Sequence, residues 1–215
     1  MTTKLDLYDL IARTGQALAN GKRLEILELV AQRERGVNDL AQLAHLNVTT
    51  VSAHLQILRE AGLVTARREG THVSYSLAGD DVAELLARLN AVAESRRGDV
   101  SAAVVNYLPD RSHSVTREEL AVLGKSAEVF LLDARPADEF DAGHVPGAVN
   151  IPVDQLASRM GEIPRSSTVV TYCRGKYCLL AHQAAAVLSE NGWTAHVLDE
   201  GVLEWRALGS AREAS

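Results

Sequence analysis

Apolar residues recur at helical spacing through almost all of residues 5–95, interrupted by a single alternating stretch. The segments LDLYDLIARTGQAL and GKRLEILELVAQRE predict two packed helices, parted by the breaker pair Asn20 and Gly21. In the second, Leu24, Leu27 and Val30 line up with Ile26 and Leu29. VNDLAQLAHLN and VTTVSAHLQILREAGL follow as two shorter helices split at Asn47, with Asn38 and Thr49 suited to cap them. This is helix-turn-helix spacing. LVTARREGTHVSYSLAG then alternates apolar and polar residues on both sides of Glu69 and Gly70, which predicts a two-stranded ribbon, or wing. After it, Val82, Leu85, Leu86, Leu89, Val92 and Ala93 make an apolar stripe suited to a dimer helix or, equally, to an intradomain core. The helical pattern resumes after Gly98 with Val100, Val104 and Tyr107, and PDRSHS ends it.

From VTREELAVL onward the period changes. EVFLLDAR, TVVTYC and TAHVLD read as short buried strands, and LLAHQAAAVLSENG as a helix ending at Gly192. Strands alternating with helices predict a mostly parallel sheet covered on both faces. The chain is therefore expected to be multidomain: a mainly-α winged helix-turn-helix domain at residues 1–98, a helical linker at 99–112 and an α/β domain at 113–210. Its 215 residues suffice for two cores of about 100 residues each.

Composition narrows the setting. Apolar residues at 47% and charged residues at 23% are ordinary for a folded chain, with disorder expected only in the closing GSAREAS. There is no run of 18 apolar residues and no basic, apolar-cored leader, so a cytoplasmic protein without a membrane partner is expected. The net charge of −6 is unevenly spread: residues 1–100 hold 12 Lys+Arg against 13 Asp+Glu, residues 101–215 hold 10 against 15. The acidity sits in the second half, which leaves the first free for a nucleic-acid partner. Both cysteines, Cys173 and Cys178, lie five positions apart. In a reducing cytosol a structural disulfide is disfavoured, and two cysteines do not complete a four-ligand zinc site, so reactive sulfur chemistry gains weight.

Two constellations carry candidate chemistry. On the second helix of the helix-turn-helix, Val51, Leu55 and Leu58 face inward, leaving Thr49, Thr50, Ser52, His54 and Gln56 for base edges and phosphates in a major groove. Arg67 and Arg68, near the ribbon tip, suit an adjacent minor groove or its phosphates. The alternative is a plain solvated face. In the second half, Cys173 falls at the carboxyl end of a strand and opens the loop CRGKYC. Gly175 allows a tight curve, a helix starts near Leu179, and the loop amides together with Arg174 and Lys176 should favour a thiolate or persulfide anion at Cys173.

Both halves resemble known families. TTVSAHLQILREAGLVTARREGTHVSYSL is similar to the recognition helix and wing of the ArsR-type winged-helix repressors, whose pattern is VSxHLxxLxxAGLVxxRxxGxxxxYxL. That resemblance implies a homodimer on a palindromic double-stranded DNA operator, with the first helix and the helix after the wing forming the dimer contact. Metal-sensing members use cysteines near the recognition helix or His and carboxylate pairs on the last helix. Here no cysteine precedes residue 173, DDVAELLARLNAVAESRR holds no histidine, and Asp80 and Asp81 read as charges complementing a helix N-terminus. No metal or cofactor is expected, and the signal must enter elsewhere.

LLDARPADEFDAGHVPGAVNIP, YCRGKYC and LDEGVLEWRALG resemble the three signatures of rhodanese domains, over roughly residues 115–209. The resemblance implies that Cys173 takes sulfur from a sulfane-sulfur donor as a persulfide and passes it to a thiol acceptor, the loop from Arg174 through Tyr177 forming the cradle. Asp133, Arg135, Glu139 and His144 match the first signature and are expected to support the loop. Two positions depart from the pattern: Cys178 replaces the usual hydroxyl or basic residue, and Glu200 with Gly201 replaces the closing glycine pair. Cys178 is either a resolving thiol for Cys173 or a small apolar filler. The longer Cys-x5-Arg loop of phosphatases and arsenate reductases is absent, residue 179 being Leu. A regulator responding to reactive sulfur is the expectation, against a sulfurtransferase with an auxiliary DNA-binding domain or a docking module without turnover.

Overall fold

The computed structural model describes residues 2–108 and 113–207. The chain forms two compact units, residues 1–86 and 87–215. The division falls inside a helix, and most of the segment expected as a helical linker, residues 99–112, is helical. Residues 109–112, the rest of that linker, lie outside the described residues, as does the closing GSAREAS. No helix among the described residues is long and apolar enough to cross a membrane.

In the first unit, Thr3 and Asp6 form a reciprocal capping box that starts α1 (Lys4–Leu18), and the Asn20 side chain caps α2 (Gly21–Gln32). A two-residue strand β1 (Arg35–Gly36), not foreseen, leads into α3 (Val37–Leu43), and α4 (Val48–Glu60) completes the helix-turn-helix. The wing is β2 (Val64–Glu69) and β3 (His72–Leu77), turned through Gly70 at φ 61°, a left-handed conformation that glycine adopts without strain. The antiparallel sheet runs β1-β3-β2. Ile26, Leu27, Leu40, Val51, Leu55 and Leu58 are fully buried and form the core on which the turn is built.

Three expectations need correction. Neither Asn38 nor Thr49 caps a helix: α3 starts from Gly36, held in β1 pairing with β3, and Asn47 caps α4 by accepting from the Thr50 amide at 2.8 Å. Thr49 instead donates its hydroxyl to Asn47 at 2.8 Å. Next, α1 does not bury its apolar face: only Ala17 is buried, while Leu5, Leu7, Tyr8, Leu10 and Ile11 are each more than half exposed. Finally, the stripe on α5 (Asp80–Arg96) divides. Val82, Ala83 and Leu86 are buried, whereas Leu85, Leu89 and Val92 stay exposed.

The second unit takes in the end of α5 and then α6 (Gly98–Tyr107), β4 (Ser114–Val115), α7 (Arg117–Ser126), β5 (Val129–Asp133), α8 (Ala137–Asp141) and β6 (Val149–Asn150). It closes with α9 (Leu156–Arg159), β7 (Thr168–Tyr172), α10 (Leu179–Glu190), β8 (Ala195–Leu198) and α11 (Val202–Ala207). The five strands run in the order β4-β8-β7-β5-β6, every pair parallel. Alternate side chains of the central β7 serve opposite faces: Val169 joins Leu132, Ile151, Ala184, Leu188 and Trp193, while Val170 and Tyr172 join Val115, Val145, Leu198 and Val202. A parallel sheet so covered opens only at its strand ends, and β7 ends at Cys173.

Beside that end, Asp133 and Arg135 are fully buried and form a bidentate pair, Arg135 Nη2 donating to Asp133 at 2.6 Å and to the Gly143 carbonyl at 2.8 Å. Removing one partner strands the other charge in the interior. Asp133→Asn should therefore cost about 3–5 kcal/mol. The chain's two tryptophans, Trp193 and Trp205, both lie in this unit, so denaturant unfolding followed by their fluorescence measures it directly; Asp133→Asn/Arg135→Met should recover part of the loss.

Candidate functional site

The loop CRGKYC leaves β7 at Cys173 and enters α10 after Cys178. A backbone bond from the Cys178 amide to the Gly175 carbonyl, 3.0 Å, closes it into a tight curve. Cys173 is 2% exposed and Cys178 packs half-buried against the same core. The two sulfurs are joined, with Cα atoms 6.3 Å apart, a separation that a disulfide spans without backbone movement. Cys178 is thus both a filler under the loop and within bonding reach of Cys173.

The near side of the loop is pinned by α11. Val202 and Leu203 amides, unsatisfied within their own helix, donate to the carbonyls of Cys173 and Arg174 at 3.0 and 2.9 Å. Gly201 lies so close that a Cβ there would overlap the Cys173 carbonyl oxygen and the Gly175 backbone. Of the departing pair Glu200-Gly201, the second residue therefore keeps the close approach that demands glycine, and Glu200 turns away to ion-pair with Arg117 at 2.6 Å. Glu204 turns its carboxylate toward the loop, accepting from the Gly201 amide at 2.8 Å and the Lys176 amide at 3.4 Å. Burial pushes the Glu204 carboxyl up, against these amide bonds that favour its charged form.

Both loop cations expected to favour an anion at Cys173, Arg174 and Lys176, are paired with carboxylates. The Arg174 guanidinium clasps the buried Glu139 carboxylate through contacts of 2.7–3.0 Å. Lys176 Nζ pairs with Glu94 of α5 at 2.8 Å, and the Tyr177 hydroxyl donates to the same carboxylate oxygen at 3.2 Å. A buried carboxylate needs a cation, so Glu139 takes Arg174 as its partner. His144, held by Phe140 through ring stacking at 3.7 Å and an Nδ1 contact to its carbonyl at 3.0 Å, stands with Asp133 and Arg135 in the scaffold. On the far side of Arg174, a cleft of about 340 Å³ is lined by Ala134, Pro136, Pro152, Val153 and Leu180.

On α4 the pattern separates as expected into Val51, Leu55 and Leu58 inside and an outer face bearing Thr49, Ser52 and Gln56. Ser52 donates to the Val48 carbonyl, and Gln56 lies between Glu60 and Arg59 at 2.6 and 2.9 Å. Thr50 and His54 are half-buried. Burial, and then the charge of Arg23, hold the His54 imidazole below its usual range. On the wing, Arg67 is paired with Glu34 at 2.6 Å and with Glu69, and Arg68 donates to the Gly70 carbonyl at 3.0 Å. Such exposed pairs contribute little and exchange readily for another anion. Arg59, on the last turn of the same face, was not singled out from sequence; its spacing of three from Gln56 is the signal for it.

Family models match both halves: one described as bacterial regulatory protein, arsR family, over residues 20–66, and one described as rhodanese-like domain over residues 116–208. The HTH-type transcriptional regulator Rv0324 of Mycobacterium tuberculosis is 46% identical over 206 residues, covering 96% of this chain and 91% of that protein. Uncharacterized protein YqhL of Bacillus subtilis is 36% identical over 93 residues, 43% of this chain and 71% of its own. The solution structure of the homodimeric winged helix-turn-helix DNA-binding domain of Mb0332 from Mycobacterium bovis is 49% identical. It covers 46% of this chain and 92% of its own, with a TM-score of 0.43.

Gly201→Ala tests the close approach. The added methyl should displace the loop and cost about 1–3 kcal/mol, as overpacking does. Closure of the Cys173–Cys178 pair by a mild oxidant, read by mass, should slow in parallel, and a variant with unchanged stability and closure rate would contradict the geometry.

Proposed function

The chain belongs to the ArsR family of bacterial transcriptional regulators and carries a C-terminal rhodanese-like domain, and from that premise we propose that it is a homodimeric repressor whose operator affinity is set by reactive sulfur at Cys173. The observation that carries the reading is the cysteine pair in one loop, in a chain whose DNA-binding half contains no cysteine. In a reducing cytoplasm the pair begins as two thiols. A sulfane-sulfur donor RS–SH gives its outer sulfur to the Cys173 thiolate, producing a Cys173 persulfide and RS⁻. The Cys178 thiolate then attacks Cys173 Sγ, the persulfide S–S bond breaks and hydrosulfide leaves. Two thiols are oxidised to a disulfide and the sulfane sulfur is reduced to sulfide.

The other roles follow from placement. Thr49, Ser52 and Gln56, joined by Arg59, meet base edges and phosphates, while Arg67 and Arg68 exchange their present partners for the DNA backbone. The exposed apolar residues of α1, with Leu85, Leu89 and Val92 of α5, supply a face for a second copy of the chain. A second reading makes sulfur transfer the primary activity. The cleft beside Arg174 favours it, because it offers a donor or acceptor a place next to the loop.

The test uses full-length protein and a duplex selected from a random library by the dithiothreitol-reduced form. Sodium tetrasulfide should weaken binding by about tenfold, within the usual range of allosteric coupling. Dithiothreitol should restore it, and Cys173→Ser should not respond. A tetrasulfide response that persists in Cys173→Ser would overturn the reading; an unresponsive wild type that turns over thiosulfate with cyanide would favour the second.

A further inference from the structure

The loop between the two cysteines is held from two directions. Its first half is fastened to the sheet domain: the Cys173 and Arg174 carbonyls to α11 amides, the Arg174 side chain to Glu139 on α8, and Gly175 against Gly201. Its second half turns its side chains to α5. Lys176 Nζ and the Tyr177 hydroxyl converge on one oxygen of Glu94, and both residues lie inside the ring that the Cys173–Cys178 bond closes.

The contact is partly screened from water, the Lys176 and Glu94 side chains being 28% and 20% exposed. The Tyr177 ring adds shape to charge. It lines a groove of about 390 Å³ together with Asn90 and Ala93 of α5 and Val100, Val104 and Tyr107 of α6. The same corner is tied by Ser101 Oγ, which donates to the Glu94 carbonyl at 2.6 Å. At its other end α5 buries Val82 and Leu86 in the core of the first unit. The helix has 17 residues, of which those to Leu86 belong to the first unit and Glu94, near its finish, to the second.

We propose that Glu94 is the positioning residue that couples the state of the cysteine pair to α5, a role that rests on the sulfur-responsive reading above. The coupling works by exchange of an anion. When the pair is bridged, neither sulfur carries charge and Lys176 stays on Glu94, with the Tyr177 hydroxyl on the same carboxylate. When Cys173 is a thiolate or persulfide, a second anion lies within the loop, and the Lys176 ammonium divides its attraction between that sulfur and Glu94. Arg174 cannot answer the sulfur in its place, being bound to the buried Glu139. The two states of the loop therefore hold α5 with different strength, which is the differential contact a switch requires.

Glu94→Gln removes the carboxylate charge while keeping a polar side chain of the same length, and Glu94→Asp keeps the charge. Two measurements on the full chain decide the matter. The first is the ratio of affinities for the selected duplex between dithiothreitol-reduced and diamide-bridged protein. Wild type should show about a tenfold ratio, Glu94→Asp most of it, and Glu94→Gln less than about twofold, as expected when the coupling contact is gone. The second is the pH midpoint of Cys173 alkylation by iodoacetamide in a Cys178→Ser background. Glu94→Gln should lower it by roughly one unit, the low end of what a nearby freed cation produces; a merely structural role would leave it in place.

A Glu94→Gln protein that keeps both the wild-type ratio and the wild-type midpoint overturns the proposal. If the wild type itself shows no ratio, the sulfur-responsive reading fails, and the midpoint still judges whether Glu94 governs Lys176. Should Glu94→Gln not fold, Lys176→Met and Tyr177→Phe remove the contact from the loop side and must each reduce the ratio.

Discussion

A charge taken out of water must bring its partner with it, and around Cys173 that requirement organises everything else. An isolated carboxylate or guanidinium in the interior costs several kcal/mol even after the protein relaxes. Asp133 and Arg135 answer the requirement at the end of β5, Glu139 and Arg174 at the edge of the loop, and Glu94 and Lys176 where the loop meets α5. Exposure rises along this series, from a pair shut off from solvent to one whose members keep a fifth or more of their surface. The ability to exchange partners rises with it. The innermost pair is scaffold, and the outermost is the one on which the proposed coupling rests.

The loop itself is a compromise between backbone satisfaction and access. Amides of α11 satisfy the loop carbonyls of Cys173 and Arg174, and the Glu204 carboxylate takes the Lys176 amide, a donor that a cradle would otherwise turn toward an anion on Cys173. With the sulfurs joined there is no anion to hold, and Cys173 is buried. In the proposed reaction Cys178 leaves Cys173 before a sulfane sulfur is received, and the first half of the loop has its own contacts to α11 and Gly201. Lys176 and Tyr177 are the loop residues that meet α5.

The DNA-binding half follows the opposite rule. The outer face of α4 is exposed, and the wing cation Arg67 sits in a solvent-facing pair with Glu34. Such an exposed pair contributes little stability and does not commit the charge. Apolar side chains left uncovered on α1 and on one side of α5 belong to the same logic: a face that is unfavourable in water alone and favourable once covered.

Periodicity was enough to specify two domains, the helix-turn-helix and its wing, and a parallel sheet whose strand leads to Cys173, because apolar spacing within each element and the order of the elements carry that information. Val51, Leu55 and Leu58 declared their own burial. The split of the α5 stripe, the open face of α1 and the true helix caps were not legible, since an apolar spacing says that a face will be buried but not against what. Arg174 and Lys176 looked like cations for an anion cradle because their carboxylates come from 35 positions and some 80 positions earlier in the chain. Glu94 gave no local sign at all; it stood in the helix as one more solvated charge. Only the folding of the loop against α5 brought it to Lys176 and Tyr177, and partnership between distant charges is a property of that packing, not of either segment.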